Sequence, residues 1–169
     1  MKAASSVRAF IGVGANLGDP RAQVVSAIAA LRELPGTQCI ACSSLYASSP
    51  VDAPGPDYVN AVVELQTTLT ASQLLQALHA IEARHGRTRS TTNAPRTLDL
   101  DLLLYGEQRS DDPTLTLPHP RLHQRAFVLK PLLEIAPQLQ VAGLGPLSLW
   151  LQRARDQAVL CLPGEALRW

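Results

Sequence analysis

The run Arg96-Thr97-Leu98-Asp99-Leu100-Asp101-Leu102-Leu103-Leu104 carries the clearest chemical pattern in the chain. Side chains of a strand alternate, so Leu98, Leu100 and Leu102 face a core while Asp99 and Asp101 project from the opposite face, about 6.6 Å apart along the backbone. Two carboxylates aimed into one space repel each other unless a hard cation relieves them. Magnesium takes one or two carboxylates plus substrate phosphates, and two such ions ~3.5 to 4 Å apart can clamp the attacking and leaving oxygens of a displacement. Asp99 and Asp101 are therefore candidate ligands for two Mg2+ ions, and Asp101 is also a candidate proton acceptor. An isolated Leu-Asp-Leu-Asp is more often a half-buried strand with a solvated polar face. The cluster Arg84, Arg87, Arg89 and Arg96 just upstream favours the chemical reading. Guanidinium groups grip phosphate oxygens bidentately, and Arg87, Arg89 and Arg96 can neutralise charge on a triphosphate as it transfers.

Other phosphate-binding patterns are absent. No GxxxxGK[ST] occurs, and Gly12, Gly14 and Gly18 have the spacing GxGxxxG instead of the dinucleotide GxGxxG. Gly14 to Gly18 reads as a tight turn that lets the backbone approach a ligand, or as the launch of the first helix. The chain has 169 residues, 46% of them apolar, which suits a single domain over residues 1–169. A net charge of +1 with 17% charged residues lacks the basic excess of nucleic-acid binders, so no nucleic-acid partner is expected. Of the fifteen cations all but Lys2 and Lys130 are Arg, so phosphate contacts fall to guanidinium groups. No signal peptide is visible, and no apolar run reaches the ~20 residues of a membrane span. A cytoplasmic protein with no membrane association is expected. Cys39 and Cys42 form a CxxC in a segment that reads as a strand, where positions three apart point to opposite faces. No second CxxC completes a zinc site, so these read as buried structural thiols.

The elements that must position the acidic pair follow from periodicity and punctuation. A first strand spans Arg8 to Val13, then a helix starts at Asp19 and Pro20, with Val24, Ile28 and Leu31 on its buried face until Pro35 and Gly36. A second strand spans about Thr37 to Ala47, the Pro-rich loop SSPVDAPGPD follows, and Tyr58 to Leu69 is a third strand. Thr70 and Gln73 form a capping box for a helix lined by Leu74, Leu78 and Ile81 that ends at Gly86. The polar stretch GRTRSTTNAPR reads as a mobile loop, Thr97 to Tyr105 as a strand, Gly106 to Pro113 as a turn and Thr114 to Leu117 as a short strand. A helix from about Gln124 to Ile135, bent or interrupted at Pro131, precedes a last helix and strand near Trp150 and Leu160. The order strand, helix, strand, strand, helix, strand predicts an α+β ferredoxin-like sandwich, a mainly antiparallel sheet with helices packed on it.

Four blocks keep the order and spacing of a known family: GANLGD near the start, PDYVNA at Pro56 to Ala61, APRTLDLDLLLYG at Ala94 to Gly106, and LPHPRLHQRAFVLKPLLEIAP at Leu117 to Pro137. On these residues, which span nearly the whole chain, it resembles the 6-hydroxymethyl-7,8-dihydropterin pyrophosphokinases of folate biosynthesis. The resemblance implies attack of the pterin hydroxymethyl oxygen on the β-phosphorus of ATP, with AMP leaving and two Mg2+ held by Asp99 and Asp101. It implies that Arg87 and Arg96 contact the ATP phosphates and assist transfer, and that Arg89 is a further loop arginine. His119 and Arg125 match nucleotide-contacting residues, and Leu102 and Thr116 match positions beside the nucleotide. Tyr58 and Phe127 match the two rings that sandwich the pterin, Asn60 the amide that reads its polar edge, and Ser48, Ser49 and Val51 the loop that contacts it. Stacking suits a flat heterocycle, and Asn60 offers it both donor and acceptor. A monomer acting on small molecules is expected. The rival is a non-catalytic nucleotide-binding or protein-binding module, which would tolerate loss of a metal carboxylate or a pterin ring; all are present here.

Overall fold

The computed structural model describes residues 5–49, 56–86 and 98–162; Val51, Arg87, Arg89, Arg96 and the expected arginine loop lie outside them. Strand β1 (Val7–Ala15) runs two residues further than its apolar alternation suggests. Helix α1 (Pro20–Arg32) begins where the Asp19 carboxylate accepts the Ala22 amide and Pro20 takes the first position, and it buries Val24, Ala27, Ile28 and Leu31. The expected second strand divides into β2 (Thr37–Cys42) and β3 (Tyr46–Ser48). The division falls at Ser43, where the hydroxyl, in place of a main-chain carbonyl, accepts the Val62 amide at 2.9 Å. Strand β4 (Tyr58–Thr67) serves both halves and β1 as well. Helix α2 (Ala71–Arg84) carries the expected capping box, Thr70 and Gln73 satisfying each other's amides at 2.9 and 3.1 Å.

Strand β5 (Asp99–Tyr105) is followed by a hairpin of β6 (Ser110–Asp112) and β7 (Leu115–Leu117) in place of an open turn. The Asp112 carboxylate closes the hairpin by accepting from the Thr114 amide and hydroxyl. A 3-10 turn at Leu122–Gln124 leads into α3 (Ala126–Ile135), which continues through Pro131 instead of breaking there. Strands β8 (Gln140–Val141) and β9 (Gly145–Pro146), helix α4 (Leu147–Arg153) and β10 (Val159–Cys161) complete the described chain.

The main sheet is antiparallel in the order β10-β3-β4-β1-β5, with β2 in line with β3 against β4. One face, carrying Ile11, Val13, Val63, Leu65, Leu98, Leu100 and Leu102, packs on α1 and α2. The other, carrying Phe10, Val62, Leu103 and Leu104, packs on α3 and α4. The molecule thus has the expected α+β architecture, with a helix layer on each side of the sheet. Among the described residues no helix is long and apolar enough to cross a membrane.

The CxxC expectation needs correcting. A register shift at Ile40 sets Cys39 opposite Leu65 and Cys42 opposite Val63, two residues that share a face, so both thiols pack on the same core. Burial pushes Cys39 up to about 11, against a lowering by Arg32, and pushes Cys42 up to about 12 with help from Cys39 and Glu134. Such thiols stay protonated and are poor nucleophiles at neutral pH.

Candidate active site

Strand alternation carries Asp99 and Asp101 to the α3 side of the sheet while Leu98, Leu100 and Leu102 enter the α1/α2 core. On the neighbouring central strand, the two positions facing them are glycines. Gly14 lies between Asp99 on β5 and Asn60 on β4, and Gly12 lies between Asp101 and Val62. With no side chains there, the sheet has a trough whose banks, two strand spacings apart, are separated by about 10 Å. The carboxylates occupy one bank and Asn60 the other. The trough is the floor of a cavity of about 730 Å3, roofed by Arg121, Gln124, Arg125 and Phe127 from the 3-10 turn and the start of α3.

Asn60, 5% exposed, donates from Nδ2 to the Ser48 hydroxyl at 2.7 Å, which fixes the carboxamide with Oδ1 over Gly14. Tyr58, on the same side of β4, and Phe127, at the head of α3, supply two rings from different elements to one space. The Arg125 guanidinium sits 5.4 Å from the Phe127 ring centroid. Burial draws the Arg125 pKa down and Asp101 draws it up; the nearby Arg121 and Asp99 add smaller contributions of opposite sign. An arginine remains a cation under these influences, so the cavity sets a positive roof against an acidic bank.

His119 does not line this cavity, but the charges of Arg125, Arg121 and Asp99 act on its ring. Its Nδ1 accepts the Arg121 amide at 3.2 Å, which leaves the proton of the neutral ring on Nε2. Burial first, then Arg125 and Arg121, push its pKa down to about 4, so at neutral pH it is an uncharged donor. Among the described residues strand β5 pairs only with β1 within the main sheet, and its outward amide at Leu100 is taken by Glu82 of α2, a carboxylate 1% exposed, at 3.0 Å. That bond holds the residue between the two aspartates.

Of the residues expected from sequence, Ser48, Ser49, Tyr58, Asn60, Asp99, Asp101, Arg125 and Phe127 all line the cavity. Leu102 points into the α1/α2 core, and Thr116 lies on the β6–β7 hairpin, its hydroxyl donating to the Asp112 carbonyl. Arg87, Arg89, Arg96 and Val51 are outside the described residues. Sequence reasoning missed Arg121, Gln124 and Gln157, which also line the cavity, and read Gly14 as the start of a turn when it is, like Gly12, a strand residue in its floor. The Arg121–Arg125 spacing across a helix start was a signal for the first of these. Among the described residues no group of three or more His, Cys, Asp or Glu forms a metal cluster. A carboxylate pair beside cations fits magnesium that is completed by substrate phosphates and water.

A family model for 7,8-dihydro-6-hydroxymethylpterin-pyrophosphokinase (HPPK) matches residues 10–137, which include both banks of the trough and the whole roof up to α3. The chain belongs to this family. Membership makes this HPPK chain an enzyme, a pyrophosphokinase. Relatives named 2-amino-4-hydroxy-6-hydroxymethyldihydropteridine pyrophosphokinase agree. The Pseudomonas aeruginosa protein is 47% identical over 135 residues, 79% of this chain and 83% of that one. The Haemophilus influenzae protein is 42% identical over 134 residues, 79% of this chain and 84% of that one. Crystal structures of Plasmodium falciparum HPPK-DHPS share the fold. The S436F/A437G/A613S triple mutant with SDX-DHP has TM-score 0.71 at 12% identity, covering 90% of this chain and 45% of that chain. The wild type with pterin and p-hydroxybenzoate has TM-score 0.68 at 12% identity, covering 90% and 44%. This chain therefore spans less than half the length of those HPPK-DHPS chains.

Proposed function

We propose that this HPPK transfers the pyrophosphoryl group of ATP to the hydroxymethyl oxygen of 6-hydroxymethyl-7,8-dihydropterin, a step of folate biosynthesis, and releases AMP. The observation that carries the reading is the trough: paired carboxylates on β5 face an aromatic and amide-bearing bank on β4 across a glycine floor, within one cavity. Two substrates side by side, a polyphosphate over the acidic bank and a flat heterocycle over the other, would meet above Gly12 and Gly14.

In the reaction the pterin oxygen forms a bond to the β-phosphorus, the bond from that phosphorus to the α-phosphate oxygen breaks, and the hydroxyl proton leaves to solvent or to Asp101. Asp99 and Asp101 would hold two Mg2+ ions, which when bound screen the phosphate charge and orient its oxygens. Tyr58 and Phe127 hold the pterin between their faces, Asn60 pairs with its polar edge, and Ser48, Ser49 and Val51 bound the slot. Arg125 and the Nε2–H of His119 donate to phosphate oxygens, the first as a cation and the second as a neutral group. The nucleotide lies along the outer edge of β5, beside Leu102 and Thr116, with Arg87, Arg89 and Arg96 as further phosphate donors. Catalysis is mainly alignment and charge neutralisation. Incubation of the protein with ATP, magnesium and 6-hydroxymethyl-7,8-dihydropterin should yield AMP and the pterin pyrophosphate; formation of ADP would refute pyrophosphoryl transfer.

A further inference from the structure

Helix α3 supplies two of the site's groups from its first turn, Arg125 at the N-cap and Phe127 as its second residue, yet the Arg125 side chain makes no capping bond. The opening amides of a helix have no partners within it and need acceptors from elsewhere. Here the acceptor for Ala126 comes from 31 residues away. Gln157, in the turn between α4 and β10, accepts the Ala126 amide on Oε1 at 2.9 Å and donates from Nε2 to the Gln124 carbonyl at 2.9 Å. One carboxamide thereby grips the backbone on both sides of Arg125, and the next residue after its contact is Phe127.

The segment carrying Gln157 is itself held to the opposite bank. Two residues on, Val159 begins β10, which pairs with β3 in the register Val159↔Ser48, and the Val159 carbonyl accepts from Lys130 of α3 at 3.0 Å. Ser48 is the residue whose hydroxyl orients Asn60. A continuous path therefore runs from the Arg125–Phe127 roof through Gln157 and β10 to the Ser48–Asn60 bank. A slot between two rings works only if their separation is held within ~0.5 Å.

We propose that Gln157 is a positioning residue of this site, setting the placement of Arg125 and Phe127 relative to the Ser48–Asn60 bank through its two backbone hydrogen bonds. The inference rests on the pterin reading above and adds a residue from outside the region that the family model matches. Gln157 is exposed, so its replacement leaves the core untouched.

Gln157→Met keeps the length of the side chain and removes both bonds. Gln157→Glu keeps an acceptor for Ala126, at a helix N-terminus where negative charge is favoured, and removes only the donor. The Met variant should raise KM for the pterin about tenfold with kcat lowered less than about threefold, and the Glu variant should restore KM to within about threefold of wild type. A pterin KM within twofold of wild type in Gln157→Met, whatever happens to Tm, overturns the proposal; so does a Glu variant as impaired as the Met variant. Amide hydrogen exchange over residues 124–128, which needs no substrate, keeps the two levels apart. Faster exchange at Ala126 in Gln157→Met is expected, and unchanged protection overturns the tie even if wild-type protein proves to make no AMP.

Discussion

Substituting alanine for either floor glycine makes the same chemical change two residues apart on one strand, with opposite expected outcomes. A Cβ at Gly14 would stand 3.1 Å from Asn60 Oδ1, closer than a relaxed carbon–oxygen contact, whereas the nearest atoms to one at Gly12 belong to the Leu103 side chain, at 3.4 to 3.6 Å. Neither glycine needs a positive φ, so backbone strain does not enter. To relieve the contact at position 14 the Asn60 carboxamide must move by a few tenths of an ångström, and it is pinned by its 2.7 Å bond to Ser48 in a buried setting. Loss of a buried hydrogen bond costs about 1 kcal/mol, and misdirection of the group proposed to read the pterin edge would remove a similar amount from binding. Gly14→Ala should therefore weaken pterin affinity about five- to thirtyfold, while Gly12→Ala stays within about twofold. Calorimetric titration of the pterin in the presence of magnesium and a non-hydrolysable ATP analogue reads this directly, with the affinity for the analogue itself as the internal control. Equal losses in both variants, or none in Gly14→Ala, would show that Asn60 and the glycine floor do not form the pterin bank.

Asp99→Ala and Asp101→Ala should each lower turnover by orders of magnitude while circular dichroism shows an intact fold; near-normal rates in both would remove the metal reading. Glu82→Ala leaves the Leu100 amide buried without its acceptor and should lower stability by about 1–3 kcal/mol in urea unfolding; an unchanged midpoint would show that the edge of β5 is satisfied some other way. His119 is held at about 4, below its ordinary 6.5, so the fold favours the neutral ring. The resulting stability is complete above about pH 6.5 and is lost as pH falls toward 4, because the unfolded chain takes up the proton first. The full shift would be worth ~3 kcal/mol, which partial solvent access reduces to about 1–2 kcal/mol. In magnesium-free buffer His119→Gln should shrink the loss of stability between pH 7.5 and 4.5 by that amount, and an identical pH profile in the variant would contradict it.

Several parts of this site were legible because they depend only on neighbours along the chain. The alternation of Leu and Asp through residues 98–102 decides which side chains share a face, and the folded sheet keeps that division. The caps at Asp19 and at Thr70–Gln73 are likewise contacts between residues three apart, readable wherever the helix packs. Tertiary structure decided everything that depends on who lies across the sheet or above it. The register of β1 against β4 and β5 set Gly12 and Gly14 between the Asn60 bank and the aspartates and made Gly14, an apparent turn residue, part of a floor. The extra residue at Ile40 turned both CxxC thiols to one face, a change of parity invisible to a period-two reading. Gln157 reached the head of α3 only because β10 returns to the edge of β3. Periodicity is a property of a segment, whereas register and convergence are set by pairings between segments far apart in the chain, and those are fixed only when the whole core packs.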